Sequence, residues 1–230
     1  MKSKGVLRQA RPAIAGVVLA FALTTGLAAC GGSSTTTTGG PSLDLSHANL
    51  QASDLPPGWK LAPPPRESLA KHVFVCLNLL SSDQPSTAIS ATGPGQLKMI
   101  SDVLGWPSAT EAQGATAALA QGSSDAKSCV GSSPHFVTTD FSSPGSVRVS
   151  KSASQVQAPA RAAKQTVAYG VTYLGSSGTA RGALVVTTRG RATSAILAYG
   201  PGKQPFPPRL LSGLAASAYQ RLGEARPGNS

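Results

Sequence analysis

The chain has 230 residues, of which 13% are charged and 5% aromatic, with 25 glycines and 18 prolines. Twenty Lys and Arg stand against nine Asp and Glu, a formal net charge of +11. The bases are scattered, without the stripe and interleaved aromatics of a nucleic-acid surface, so no nucleic-acid partner is expected. This length is enough for one sizeable core or two small ones.

Residues 1–29 read as an export signal. Lys2, Lys4, Arg8 and Arg11 make a basic start, Pro12 to Ala29 carries no charge, and Ile14 to Leu23 is almost continuously apolar. A spanning helix needs about 20 apolar residues, and Thr24, Thr25 and Gly26 interrupt the run before that. Leu27-Ala28-Ala29-Cys30 resembles the lipobox of bacterial lipoproteins: Leu, a small residue, Ala or Gly, then Cys. The resemblance implies diacylglycerol on the Cys30 sulfur, cleavage before Cys30 and an acylated new N-terminus. It places the protein at the extracytoplasmic face of the cell membrane, with the membrane as partner through the N-terminal lipid. An ordinary secretory signal or a single spanning helix is the plainer alternative. Without the signal, sixteen bases face nine acids, a net charge of about +7, which suits a surface beside anionic headgroups.

There are three cysteines, Cys30, Cys76 and Cys129. If Cys30 carries lipid, two remain in a compartment where disulfides persist. A Cys76–Cys129 bridge would close a loop of about 53 residues and contribute about 4 kcal/mol; two separately buried thiols are the alternative. Neither has a second Cys or His at ligand spacing, so no metal is expected.

In chain order, residues 30–42 comprise the lipidated Cys30 and a flexible Ser/Thr/Gly tether reaching about 20 Å. Residues 43–226 are expected to form one globular domain and 227–230 a frayed tail. A turn at Ser53 to Trp59, capped by Asp54, leads into an extended piece, and Pro63-Pro64-Pro65 makes a polyproline-like link. Leu69, Val73, Leu77 and Leu80 recur at helical spacing over Ser68 to Leu80, although Val73 and Val75 leave a strand open. Ser81 to Gln96, broken by Pro85, Gly93, Pro94 and Gly95, reads as a loop. Leu97 to Trp106 reads as a strand. Ser108 with Glu111 starts a helix to Ala120, and a second short helix, Ser124 to Val130, holds Cys129. Val147-Arg148-Val149 precedes three strands, Gln165 to Leu174, Gly182 to Thr188 and Ala192 to Tyr199. Their short links predict an antiparallel meander with one face on a core. Arg209 to Leu222 is the last helix. The fold class is α+β: a central, mainly antiparallel sheet packed against two to four helices, with one disulfide.

No GxSxG, HExxH, P-loop or dinucleotide motif occurs. His47, His72 and His135 are unclustered, the nine acids are isolated, and Glu224 is expected to face solvent. No cofactor and no catalysis are expected. Binding remains: Trp59, Trp106, Phe136, Tyr169, Tyr173 and Tyr199, if exposed together, would line an apolar ligand cleft; the alternative is core and edge packing.

Asp54-Leu55-Pro56-Pro57-Gly58-Trp59, a first domain cysteine, and Trp106-Pro107-Ser108-Ala109 before an Ala-rich helix and a second cysteine carry a further likeness. With the lipobox and tether they resemble actinobacterial surface lipoproteins similar to the extracellular sensor domain of the mycobacterial serine/threonine kinase PknH. The resemblance covers about residues 43 to 224. It implies a largely antiparallel sheet, helices against it and a groove for a ligand. That family usually carries two disulfides, where this chain can form one. Mycobacterial lipoproteins with a PsbP-like fold offer a second resemblance. Together these readings lead to a non-catalytic, lipid-anchored binding or sensor-like domain for a small or lipidic envelope component. The alternative is a structural lipoprotein with an envelope protein as partner.

Overall fold

The computed structural model describes residues 42–81, 83–132, 146–151, 165–175, 178–202 and 206–228. The signal, Cys30, all of the tether but Ser42, and Phe136 lie outside them. The strands are β1 (Leu43–Asp44), β2 (Lys60–Ala62), β3 (Ser86–Thr92), β4 (Lys98–Gly105), β5 (Ser146–Lys151), β6 (Thr166–Gly175), β7 (Gly178–Arg189), β8 (Ala192–Pro201) and β9 (Arg226–Pro227). The helices are α1 (Leu69–Cys76), α2 (Ala109–Gln121), α3 (Ser124–Gly131) and α4 (Pro208–Arg221). Among the described residues, seven strands form one sheet in the order β2-β3-β4-β8-β7-β6-β5, antiparallel throughout. This is the expected α+β class.

The sheet is buried on both faces, not on one as the meander predicted. The cause lies in β7 and β8, which are apolar at both parities. Leu184, Val186, Ala195 and Leu197 meet α1, α2 and α3 in one core, joined by Ile100, Leu104, Val167 and Val171. Ala183, Val185, Ile196 and Ala198 meet Leu211, Leu214, Ala215 and Ala218 of α4 in the other, with Leu50, Met99 and Phe206.

A second correction concerns Ser81 to Gln96, which holds β3. Pro85 and the Gly93-Pro94-Gly95 run bound this strand instead of breaking it, and all seven of its residues pair with β4, from Ser86 with Leu104 to Thr92 with Lys98. Its Ser, Thr and Ala residues lack the apolar alternation that marks a strand. The backbone ladder supplies the fit.

The helices start and stop for local reasons. Ser108 accepts the Glu111 N–H at 3.1 Å and Gly122 ends α2 at φ 65°, a left-handed position that suits glycine. Ser123 caps α3 through the Ala126 N–H at 3.1 Å. At the carboxyl end of α4, Arg189 Nη1 donates to the Tyr219 and Gln220 carbonyls, both at 3.3 Å, and its guanidinium lies 5.3 Å from the Tyr219 ring. A cation suits that pole of a helix.

Asp54 serves differently from the expectation. Its Oδ2 accepts the Gln51 N–H at 2.8 Å and pairs with Arg221 Nε at 2.8 Å, which ties the turn at 52–54 to the end of α4. Arg221 also meets Glu224 at 3.2 Å, so that exposed acid has a partner. Pro227 pairs with Leu43, and the Gly228 N–H donates to the Ser42 carbonyl at 2.5 Å. The start of the stretch expected to fray is therefore tied down. Cys76 and Cys129 form the disulfide, with their Cα atoms 5.7 Å apart, and staple the last residue of α1 to α3. No described helix is long and apolar enough to cross a membrane.

Gly182 on β7 lies opposite Tyr199 on β8, and a methyl there would stand 2.1 Å from the Ala198 carbonyl oxygen. Backbone cannot yield as a flexible side chain does. Gly182→Ala is therefore expected to lower stability by about 1–3 kcal/mol, read as a lower urea midpoint; an unchanged midpoint would contradict the close approach.

Candidate functional site

Strand alternation and core packing assign each described aromatic to a face, and the five described residues among the six proposed to line one cleft do not gather on one side of the sheet. Trp59 belongs to the α4 side. Its ring lies 6.3 Å from Phe206, edge on, and covers Gly93, where a Cβ would come within 2.4 Å of it. Trp106, Tyr169, Tyr173 and Tyr199 are on the other face. Trp106 and Tyr173 are each 2% exposed and Tyr169 is fully buried. Tyr199 is half-buried against the same core. Trp106 packs on Phe74 of α1, ring centroids 5.1 Å apart, and the Tyr169 hydroxyl donates to the Leu119 carbonyl of α2 at 2.5 Å. Trp106, Tyr169 and Tyr173 therefore serve as packing residues, and the half-buried surfaces of Trp59 and Tyr199 face opposite sides of the sheet.

Under α2 runs a chain of buried hydroxyls. The Trp106 indole N–H donates to Thr193 at 2.9 Å, Thr193 and Thr188 are 2.9 Å apart, Thr188 and Thr116 2.6 Å, and Thr116 reaches the Ala112 carbonyl at 3.0 Å. An indole only donates and a carbonyl only accepts. The direction is thus set from Trp106 to Ala112, and each threonine both accepts and donates.

The most heavily perturbed group is one that motif reading passed over. Asp102 stands mid-strand in β4, fully buried, on the face that carries Ile100 and Leu104. Alanines flank it, Ala88 on β3 and Ala195 on β8. Its Oδ2 accepts the Ser68 hydroxyl and, at 2.9 Å, the Ala70 N–H. Ser68 in turn caps α1 by accepting the Lys71 N–H at 3.0 Å. The carboxyl therefore sits at the positive pole of α1, where an anion is favoured. Oδ1 has no hydrogen-bond partner among the described residues. Burial pushes the carboxyl from 3.8 up to about 6, against the opposing pull of the Ser68 and Ala70 hydrogen bonds and the Lys71 charge. Desolvation outweighs the helix pole because only one oxygen is satisfied. The available signal was an acid in the run Met99-Ile100-Ser101-Asp102-Val103-Leu104, which strand alternation turns inward.

His72 projects from α1 to Ser132, with Nε2 and Oγ 3.2 Å apart, and Ser132 donates to the Cys129 carbonyl at 3.2 Å. The histidine thus joins the two disulfide-bearing elements. No group of three or more His, Cys, Asp or Glu side chains suited to a metal occurs among the described residues.

No protein-family profile and no curated protein matches the sequence. Among solved structures, the extracellular domain of PknH from Mycobacterium tuberculosis is similar, at a TM-score of 0.51 and 14% identity, covering 78% of this chain and 94% of that one. An uncharacterised protein from Mycobacterium smegmatis aligns at a TM-score of 0.29 and 17% identity, covering 79% of this chain and 85% of that one. The likeness to the PknH domain is one of fold.

The Asp102 shift sets a pH dependence with a definite sign. Between pH 3.8 and about 6 the folded chain keeps a proton on Asp102 that the unfolded chain has released. This contribution to stability is full below 3.8 and is lost as pH rises through about 6, a decline of about 3 kcal/mol. Asp102→Asn keeps an acceptor toward Ser68 and Ala70 and carries no titrating proton, so its stability is expected to lack that decline. Urea unfolding of both proteins between about pH 4 and about pH 7 checks this; parallel curves would refute it.

Proposed function

We propose that this chain is a lipid-anchored protein of the cell envelope, held through Cys30 at the extracytoplasmic face of the membrane. Its α+β domain acts as a non-catalytic, sensor-like binding module for a small or lipidic envelope component. The observation that carries this reading is the fold likeness to the extracellular domain of PknH. The Cys76–Cys129 bridge supports it, being the chemistry of an oxidising compartment. The lipobox pattern at Leu27 to Cys30 supports the anchor.

One observation favours a second reading, a protein-interaction lipoprotein with no small ligand. Three of the proposed cleft aromatics are spent on the core, while Leu61, Val75 and Leu79 are large apolar residues at 52%, 38% and 38% exposure. Apolar surface of this kind suits a protein partner when it is contiguous.

Cys30→Ala is expected to abolish incorporation of radiolabelled fatty acid; persistence of label would overturn the anchor. Protein extracted gently from membranes and examined by native mass spectrometry is expected to retain a small or lipidic component, reduced in Trp59→Ala or Tyr199→Ala. If none is retained and photo-crosslinkers at Leu61 or Leu79 capture a defined envelope protein, the second reading replaces the first.

A further inference from the structure

The two cysteines of the disulfide meet different surroundings. Cys129 is 5% exposed, between Ser128 and the fully buried Val130. Cys76 is an exposed residue at the last position of α1. Two of the three exposed large apolar residues among those described, Val75 and Leu79, lie within three positions of it. Thiol–disulfide exchange requires a thiolate to reach one sulfur, and its rate follows access. Here access is one-sided.

The architecture of α1 says what reduction would release. The helix has eight residues, too few to persist alone in water. Its first six residues are held by the burial of Leu69, Ala70, Val73 and Phe74 and by the Asp102–Ser68 contact. Its last turn closes on Asn78 at φ 55°, where the Asn78 and Leu79 N–H groups donate to the Val75 and Phe74 carbonyls, both at 2.9 Å. From Val75 to Leu80 the side chains are exposed or half-buried. The bond to Cys129 and the exposed His72–Ser132 contact tie this end to α3.

We propose that Cys76–Cys129 is a site of thiol–disulfide exchange in the folded protein, taking a dithiol as co-reactant and attacked at the Cys76 sulfur. A thiolate of the dithiol forms a bond to Cys76 Sγ as the Cys76–Cys129 bond breaks. The electron pair leaves on Cys129, which takes a proton from solvent. The second thiol then attacks the mixed disulfide and expels the Cys76 thiolate, which is protonated. The dithiol is oxidised by two electrons to its disulfide and the protein is reduced by two. The end of α1 and the segment through Leu80 are set free, while the sheet stays folded. Exchange at this site is independent of any bound ligand, so a failure here leaves the binding reading untouched.

The test uses the purified full chain, with dithiothreitol as the dithiol and glutathione as a mapping monothiol. Reduction is followed by mass-tagging of free thiols in increasing urea. Exchange in the folded state is expected to change less than about twofold per molar urea, whereas reduction through global unfolding accelerates about tenfold or more. Glutathione is expected on Cys76. After reduction, amides of residues 75–80 are expected to lose hydrogen-exchange protection while those of β7 and β8 keep it, and the double variant Cys76→Ser/Cys129→Ser should show the same pattern. A steep urea dependence, glutathione on Cys129, or loss of protection in β7 and β8 would each overturn the proposal.

Discussion

A sheet covered on both faces leaves no water for the polar side chains at its centre, so every hydroxyl or carboxyl there needs a partner from a covering element. In this domain those partners are the elements themselves. Ser101 donates to Asn49 Oδ1 at 2.8 Å, and Asn49 Nδ2 reaches the Thr87 and Ser101 carbonyls at 2.9 and 3.2 Å, which seats the N-terminal segment. Asp102, its neighbour on the opposite face, seats α1. Thr193 and Thr188 seat Trp106 and α2. Apolar packing attracts each of these pieces to the sheet without much preference for register. The polar contacts make one register cheaper than its neighbours, because a slip of one residue leaves a buried group unpaired. Ser194 Oγ and Asp102 Oδ1, which have no hydrogen-bond partner among the described residues, are the exceptions.

This scheme explains which parts of the structure were legible in the sequence. The strand β6 announces itself by alternation, β7 and β8 by apolar runs between short links, and the helix α2 by Ser108 with Glu111. β3 does not, since Ser-Thr-Ala-Ile-Ser-Ala-Thr offers only Ile89 and Ala91 to the core and is otherwise held by backbone pairing and by Asn49. The second buried face was missed for a related reason. The apolar run of β7 reads as one side of a meander, although four residues, Ala183 to Val186, are buried in succession. The bridge followed from counting cysteines once Cys30 was set aside. The aromatic cleft did not follow, because a tyrosine on a strand reads the same whether its ring faces solvent or lies under a helix. Tyr169 lies under α2, and only its hydroxyl contact to Leu119 distinguishes the two cases.

The fold likeness bears on this point. A TM-score of 0.51 at 14% identity means that the arrangement of strands and helices is alike while most side chains differ. A pocket built from side chains does not follow from such a likeness; only the layers between which one can form do so. In this chain the layer above β4 and β8 is the one with the least local support. α2 has thirteen residues and α4 fourteen, whereas α1 and α3 have eight each.

α1 is therefore a short cover for its part of the sheet face, and its two ends are fastened by different chemistry. At the amino end the fastening is a buried carboxyl whose charge depends on pH, with the proton favoured by burial and the anion by the helix pole. At the carboxyl end it is a covalent bond, from the exposed residue Cys76, that answers to the redox state around it. Neither fastening depends on the other, since one acts through β4 and the other through α3. Loss of both leaves Leu69, Val73 and Phe74 to hold the helix by burial alone, each worth about 1.5–3 kcal/mol. Those three contacts are enough to keep α1 on the sheet but set no limit on fraying beyond Phe74. The short helix over Trp106 is thus where proton and thiol chemistry in the surroundings would first reach the core.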